Sequence, residues 1–321
     1  MTTTIRRSLL LPIAALAILA NVGVVQASTL SDTFPTQSLG NRGSNVRAIQ
    51  GLLRAHGSAI KVDGIFATGT KDAVKSFQQR HGLTVDGVVK AATWNALVVP
   101  LKTGATGEGV LALQRLLNEK RGAKLELTGG FGTGTRAAVE SFQRHYGMTV
   151  WGSVGPVTWR RLIAHFEYPV WSDRLCDYSV GNGTANWGTG AAIGQLEAAA
   201  ARIVKLGHGK VSLGDISYQH GGDIPGHQTH EQGLDVDIRP MRDAENQCTW
   251  GTNWRYTSYD RAATRDLVKA IRATAPGHIK VIYFNDPVLI DEGLTTWYTG
   301  HDDHVHVRYC ELTHPLKTYD C

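Results

Sequence analysis

The chain has 321 residues, of which 42% are hydrophobic and 19% charged, with a formal net charge of +5. That balance excludes a disordered polymer, and the 36 glycines follow no three-residue period, which excludes a collagen. So mild a positive charge does not single out nucleic acid as a partner, though it suits work near an anionic surface.

Residues 1–27 read as an export signal. Arg6 and Arg7 open it, residues 9–25 are nearly all apolar, and Val25-Gln26-Ala27 supplies small residues for cleavage after Ala27. The apolar run is also about long enough to span a bilayer, so a retained anchor is the alternative. The expected destination is outside the cytoplasm, in the cell wall, periplasm or medium, with no membrane contact after cleavage. The cysteines Cys176, Cys248, Cys310 and Cys321 form no CxxC pair, and an even count in an exported chain favours two disulfides. Because domain termini often lie close together, the expected pairing is Cys176–Cys321 with Cys248–Cys310.

An internal repeat follows. Residues 46–53 match residues 110–117, Phe66-Ala67-Thr68-Gly69-Thr70 matches Phe131-Gly132-Thr133-Gly134-Thr135, Ser76-Phe77-Gln78 matches Ser141-Phe142-Gln143, and Thr93-Trp94 matches Thr158-Trp159. Each unit reads as three short helices. In the first, Val46, Ile49, Leu52 and Leu53 keep helical spacing, Thr70 can cap a second helix carrying Ala73, Val74 and Phe77, and Trp94 and Leu97 mark a third. The units span residues 37–98 and 99–165, and one alone would be marginally stable.

These motifs resemble the peptidoglycan-binding domain found beside bacterial wall enzymes. The resemblance is carried by the Val-x-x-Ile/Leu-Gln-x-Leu-Leu opening, the Asp63-Gly64-x-Phe66 turn, Phe77-Gln78, Val85-Asp86-Gly87 and Thr93-Trp94. It implies peptidoglycan as the partner. The second copy departs from the pattern, with Thr128 and Trp151 where the first has Asp63 and Asp86.

Beyond Tyr168-Pro169, tryptophan and histidine become frequent. Helices are expected over residues 191–206 and 260–273, and strands over 234–238, 279–284 and 304–309. Without a clean βαβ rhythm, residues 172–321 read as an α+β domain with a small antiparallel sheet. The fold class is therefore multidomain, two three-helix repeats followed by α+β.

Of 13 histidines, eight lie after residue 219, and five of those fall in two clusters. The first cluster is His227-Gln228-Thr229-His230-Glu231-Gln232-Gly233-Leu234-Asp235-Val236-Asp237. The second is His301-Asp302-Asp303-His304-Val305-His306-Val307-Arg308. On a strand, His304, His306 and Arg308 share one face while Val305 and Val307 take the other. Asp235 and Asp237 likewise share a face, and a buried carboxylate there calls for a balancing cation. Histidine nitrogen with aspartate oxygen suits zinc, and His230, Asp237 and His306 can supply three ligands with one position open. The HExxH helix is absent, so His304 is the natural general base. Asp235 reads as a supporting group, Asp302 and Asp303 as loop charges or hydrogen-bond partners, and the isolated histidines, among them His145, His165, His220 and His278, as structural.

At these residues the chain resembles the penicillin-insensitive murein endopeptidases, grouped with the lysostaphin-type and D-Ala-D-Ala metallopeptidases and the hedgehog signalling domain. The resemblance implies a small α+β zinc peptidase, with His230, Asp237 and His306 as ligands of one zinc per chain and His304 as base. It also implies that His227 and His301 line the site. Some members carry a second metal on an Asp-x-x-His element, which is not found between Asp237 and Ile279. The expected activity is hydrolysis of D-alanyl–diaminopimelate cross-links by a secreted monomer. The alternatives are a carboxypeptidase, in which Arg239 or Arg308 would grip a terminal carboxylate, and a non-catalytic wall-binding protein.

Overall fold

The computed structural model describes residues 34–179 and 185–321, so the expected export signal lies outside the described residues. The first repeat contains α1 (Ser44–Ala55), α2 (Thr68–Arg80) and α3 (Ala91–Leu97), and the second contains α4 (Glu108–Arg121), α5 (Thr133–His145) and α6 (Pro156–Ala164). The repeated glutamines explain the repeated turns. Gln50 is buried; its Oε1 accepts from the N–H groups of Asp63 (3.0 Å) and Gly64 (2.8 Å), and its Nε2 donates to Asp63 Oδ1 at 2.9 Å. Gln78 binds Gly87 and Asp86 in the same way. A buried amide with both ends satisfied fixes a loop that has no regular ladder of its own.

The departures in the second copy follow from this clamp. Thr128 keeps part of the Asp63 role, with its Oγ1 accepting from Gly130 N–H at 3.1 Å. Trp151 takes no part in holding Gln143, whose Nε2 keeps the bonds to Ser153 O and Thr158 Oγ1 that Gln78 makes to Val88 O and Thr93 Oγ1 but lacks a carboxylate partner, and the indole is 74% exposed. Thr70 does not cap α2, which begins two residues earlier, at Thr68. Its hydroxyl instead donates to Ile65 O and accepts from Gln50, because the glutamine clamp needs an acceptor there.

The repeats share one apolar core. Helices α1 and α4 approach so closely that a Cβ on Gly51 would lie 2.9 Å from the Ala112 Cβ. Each small unit thereby borrows apolar burial from its twin.

The C-terminal unit holds a five-stranded sheet of β1 (Leu175–Asp177), β2 (Val211–Leu213), β3 (Asp235–Ile238), β4 (Ile279–Tyr283) and β5 (Val305–Tyr309), in the order β1-β2-β3-β5-β4. The β1–β2 pair is parallel and the other pairs are antiparallel, so the sheet is mixed rather than purely antiparallel. Helices α7 (Gly190–Lys205) and α8 (Arg261–Thr274) contribute Leu196, Ile203, Leu267 and Ile271 to a core with Val236, Ile238, Val305 and Val307. A short helix, α9 (Pro287–Asp291), follows β4.

The disulfides are Cys176–Cys248 and Cys310–Cys321, which overturns the expected pairing. The chain leaving β5 turns back at once, with Cys321 N–H donating to Glu311 O at 2.8 Å, so Cys321 meets Cys310 rather than β1. Cys176, on the edge strand, instead reaches the long 239–260 connection at Cys248.

The first repeat is seated on the C-terminal unit through backbone-to-backbone approach. A Cβ on Gly194 in α7 would lie 2.4 Å from Gly43 Cα and 2.6 Å from Gly43 N. Around this contact Arg42 Nε donates to Thr274 O (3.1 Å), and His278 bridges Cys310 O (3.1 Å) to Ser38 and Leu39 O. Thr36 N–H donates to the buried Glu311 carboxyl at 2.9 Å. His278 is therefore structural, as expected of an isolated histidine, but it joins two domains rather than filling one core.

Gly194→Ala is expected to destabilise the chain by about 1–3 kcal/mol, because only backbone can yield at that contact; thermal unfolding, with small-angle scattering to detect separation of the units, measures it. Burial pushes the Glu311 carboxyl up to about 8, against one hydrogen bond from Thr36 that favours the charge. A folded pKa above the unfolded one means the native state holds the proton longer. Stability tied to Glu311 is thus full at acid pH and falls as pH rises through about 8. Glu311→Gln should raise the melting temperature at pH 8–9 relative to the parent and leave it nearly level at pH 5.

Candidate metal centre

Two adjacent strands set the frame. In the β3–β5 register Asp237 lies opposite His306 and Asp235 opposite Arg308, so alternation places carboxylates and imidazole on one face of the sheet and Val236, Val305 and Val307 on the core face. His230 comes from the loop before β3. Its φ of +84° puts a non-glycine residue in the left-handed region, a strained conformation held by its surroundings. Gly233, at φ +64°, turns the loop into the strand where a Cβ would strike Phe166 and Thr189 N.

The imidazoles share one hydrogen-bonding logic. His230 Nδ1–H donates to Ile216 O at 3.1 Å, leaving Nε2 directed inward, 3.5 Å from Asp237 Oδ2 and 3.3 Å from His306 Nδ1. His306 Nε2–H donates to Asp235 Oδ1 at 2.8 Å, leaving Nδ1 2.9 Å from Asp237 Oδ1. His227 Nε2–H donates to Asp215 Oδ2 at 3.1 Å, leaving Nδ1 3.7 Å from Asp237 Oδ2. In each ring an outer acceptor fixes the tautomer and aims the other nitrogen at Asp237, the arrangement that prepares imidazole for a metal. The donor atoms of His227, His230 and Asp237 lie within 4.8 Å of one another. His227, expected beside the site, thus contributes a donor atom to it. Converging imidazole nitrogens and a carboxylate fit a transition-metal dication by donor chemistry.

Electrostatics agree with a cation-shaped centre. Burial alone would raise the Asp237 carboxyl, yet His230 and His306 hold it well below the usual carboxylate range. Burial works against charge on His306, and the hydrogen bonds to Asp235 and Asp237 override it, raising that imidazole to about 9. The His227 imidazole is raised chiefly by its hydrogen bond to Asp215.

Asp235 is the buried hub beneath the centre. It accepts from His306, from Arg308 Nε at 2.7 Å and from Tyr319 Oη–H at 2.6 Å. Asp215 and Tyr319 are the supports that sequence reasoning missed. Asp215 had the signal of a Gly214-Asp215 turn twelve residues before His227. Tyr319, 84 residues from Asp235, had none.

His304 and His301 sit at the mouth. His304 Nδ1–H donates to Asp303 at 3.0 Å, and its Nε2 lies 3.9 Å from Asp237 Oδ1. His301 Nδ1–H donates to Thr299 O at 3.0 Å, its ring lies 4.6 Å from that of His304, and burial lowers its pKa, which keeps it neutral at neutral pH. These residues line an open cleft of about 510 Å³ with Tyr283 and Tyr298. Asp302 is a hydrogen-bond hub for the loop, accepting from Trp254 Nε1, Asn285 Nδ2 and Arg255.

Comparison with known proteins agrees with this division. Residues 42–97 and 106–162 match the family described as "Putative peptidoglycan binding domain", and residues 181–278 match "Penicillin-insensitive murein endopeptidase". The chain is 32% identical over 146 residues to the N-acetylmuramoyl-L-alanine amidase CwlM of Mycobacterium tuberculosis, covering 38% of this chain and 36% of that protein. It is 39% identical over 90 residues to the zinc D-Ala-D-Ala carboxypeptidase of Streptomyces albus G, covering 27% of this chain and 34% of that one. The match thus spans about a third of the length of either curated relative. A solved structure of a fused Zn-dependent amidase/peptidase/peptidoglycan-binding domain-containing protein from Clostridium acetobutylicum aligns at 41% identity over 20% of this chain and 29% of that one, with a TM-score of 0.20, too low to carry a fold argument.

Tyr319→Phe is expected to cost about 1–3 kcal/mol of stability, since it leaves a buried carboxylate oxygen short of a donor; chemical unfolding of chelator-treated protein measures this apart from any metal. The chain carries two peptidoglycan-binding repeats followed by a domain of the penicillin-insensitive murein endopeptidase family.

Proposed function

We propose that this protein is an exported, zinc-dependent endopeptidase that hydrolyses peptide cross-links of bacterial peptidoglycan, of the D-alanyl–diaminopimelate type. The observation that carries the reading is the ring of inward-aimed nitrogens, from His230, His306 and His227, around the buried Asp237 at the floor of an open cleft. One zinc per chain would be held by His230, Asp237 and His306, with His227 close enough to join or exchange. Zinc at such a site lowers the pKa of a bound water and polarises a carbonyl.

The residues around it supply the proton handling. Asp303 orients the His304 imidazole and leaves Nε2 facing the cleft, placed to take the proton of the attacking water and return it to the departing amine. His301, its Nδ1–H held by Thr299 O, presents an unprotonated Nε2 beside it, placed to accept a hydrogen bond from an N–H or O–H of the bound substrate and so to orient it. No serine nucleophile is called on, so β-lactams should not acylate the protein. The repeats would hold the enzyme on an insoluble polymer and raise its concentration at the bond. Similarity to a D-Ala-D-Ala carboxypeptidase supports a second reading, release of terminal D-alanine. The endopeptidase reading is favoured because two cavities, of about 370 and 510 Å³, meet at His304, which offers room for chain beyond a single terminal residue.

Purified cross-linked muropeptide dimers incubated with the full chain and zinc should become monomers by a single hydrolysis, read by mass spectrometry. A chelator and Asp237→Ala should each abolish this. His304→Ala should lower kcat by about 10²–10⁴-fold. Loss of terminal D-alanine alone would support the carboxypeptidase, and no cleavage with retained binding to sacculi would reduce the protein to a wall-binding one.

A further inference from the structure

A second cavity, of about 370 Å³, adjoins the metal cleft and shares His304 with it. Tyr178, Arg239, Asn253, Tyr256 and Asp303 line it. Its walls come from opposite parts of the domain. Tyr178 follows β1, and Asn253 and Tyr256 belong to the 239–260 connection, which the Cys176–Cys248 disulfide ties to that same strand. Arg239 lies between them, two residues after Asp237 at the end of β3.

Arg239 is the cation that lines this cavity. Its Nη1–H donates to Gln247 O at 3.0 Å, and its guanidinium carbon sits 4.3 Å from the Tyr178 ring centroid, so the planar group is held by a hydrogen bond and by the ring. Among the described residues no carboxylate forms an ion pair with it, and its partners are a backbone carbonyl and the uncharged Tyr178 ring. The carboxylate on the rim, Asp303, accepts from His304 and has a side chain 68% exposed to water. Asn253 Oδ1 accepts from Arg255 N–H at 3.0 Å, which leaves its amide N–H₂ as the donor end. Arg308, the other cation near the cleft, is committed to Asp235 at 2.7 Å, with its side chain only 12% exposed.

We infer that this cavity is a carboxylate-binding subsite, in which Arg239, with Asn253, takes the carboxylate borne on the carbon next to the scissile nitrogen. The inference rests on the reading of the adjoining cleft as the site of hydrolysis. A substrate reaching from one cavity into the other passes over His304, so the group delivered to Arg239 lies within a few bonds of the amide being cut. Both candidate substrates offer that chemistry. The acceptor diaminopimelate of a cross-link carries a carboxylate on the carbon that bears the cross-linked nitrogen, and a terminal D-alanine carries one in the same relation. A preoriented guanidinium suits a planar carboxylate, whereas an amidated residue offers no charge and sets donors against donors.

The test compares kcat/KM of the zinc-loaded full chain on cross-linked dimers whose acceptor diaminopimelate is either the free acid or the carboxamide, and on pentapeptide monomers that can lose D-alanine. The parent should cleave the free-acid dimer about tenfold to a hundredfold better than the amide. Arg239→Gln should erase that ratio, and Arg239→Lys, which keeps the charge without the fork, should restore part of it. If the carboxylate is instead that of terminal D-alanine, the loss in Arg239→Gln falls on pentapeptide trimming. The same free-acid preference in parent and Arg239→Gln, with no loss on pentapeptides, overturns the subsite. Should the parent cut none of these, hydrolysis fails as a reading and calorimetry decides the subsite alone, using the uncross-linked tripeptide monomer in free-acid and amidated forms. Binding of the free acid at least about tenfold tighter, lost in Arg239→Gln, supports it, and equal affinities overturn it.

Discussion

Asp237 is a carboxylate held almost out of water in the middle of a sheet, and the rest of the site is arranged around the consequence. An ionised group there, left alone, would be strongly destabilising. The β3–β5 register answers by setting His306 directly opposite, and the strained His230 loop closes over it from the other side. Each imidazole spends its outer nitrogen on a fixed acceptor, so none can turn away from the carboxylate. His306 is the cationic partner this register supplies, since its hydrogen bonds to Asp235 and Asp237 outweigh its burial and raise the imidazole to about 9.

That shape is maintained from outside the strands. Asp235 orients His306, Tyr319 and Arg308 saturate Asp235, and Tyr319 is fixed by the 310–321 loop that the Cys310–Cys321 disulfide closes. In that loop Glu311 N–H donates to Tyr319 O while the Glu311 carboxyl receives Thr36 N–H from the segment entering the first repeat. A continuous series of hydrogen bonds therefore runs from the first repeat to a candidate ligand. The Cys310–Cys321 disulfide closes the loop through which this series passes.

Much of this was legible in the sequence wherever a local period carried it. Helices α7 and α8 and strands β3, β4 and β5 announce themselves through apolar spacing, and the His304-x-His306-x-Arg308 alternation faces the cleft as a strand requires. Strands β1 and β2 did not, because three residues give too short a run for a period of two to show. The disulfides depart from the expected pairing because chain ends in a domain need not meet, and local closure of the tail takes Cys321 to Cys310. Tyr319 is invisible for a related reason. Its partner is set by tertiary contact, and a lone tyrosine near a terminus looks the same in sequence whether it solvates or supports a buried carboxylate. The repeated glutamines stand in the sequence motif, yet their role as turn clamps is set by the N–H groups of Gly64 and Gly87, which only the folded chain brings to them.

The placement of the repeats bears on how such a chain meets its polymer. A flexible linker would let the binding units roam, whereas here the first repeat is pressed against α7 through Gly43 and Gly194, with Arg42 and His278 stitched to the C-terminal unit. The two repeats in turn share one core through α1 and α4. On the proposed function, a wall strand held by the repeats would meet the cleft at the offset this contact sets rather than at an average one. Fixed offset raises the local concentration of bonds that lie at that distance and lowers it for all others. Such seating would add a geometric filter to the chemical one proposed at the candidate metal centre, and the two can be varied separately, since the glycine contact lies on α7 and the cavities that share His304 are lined by other elements.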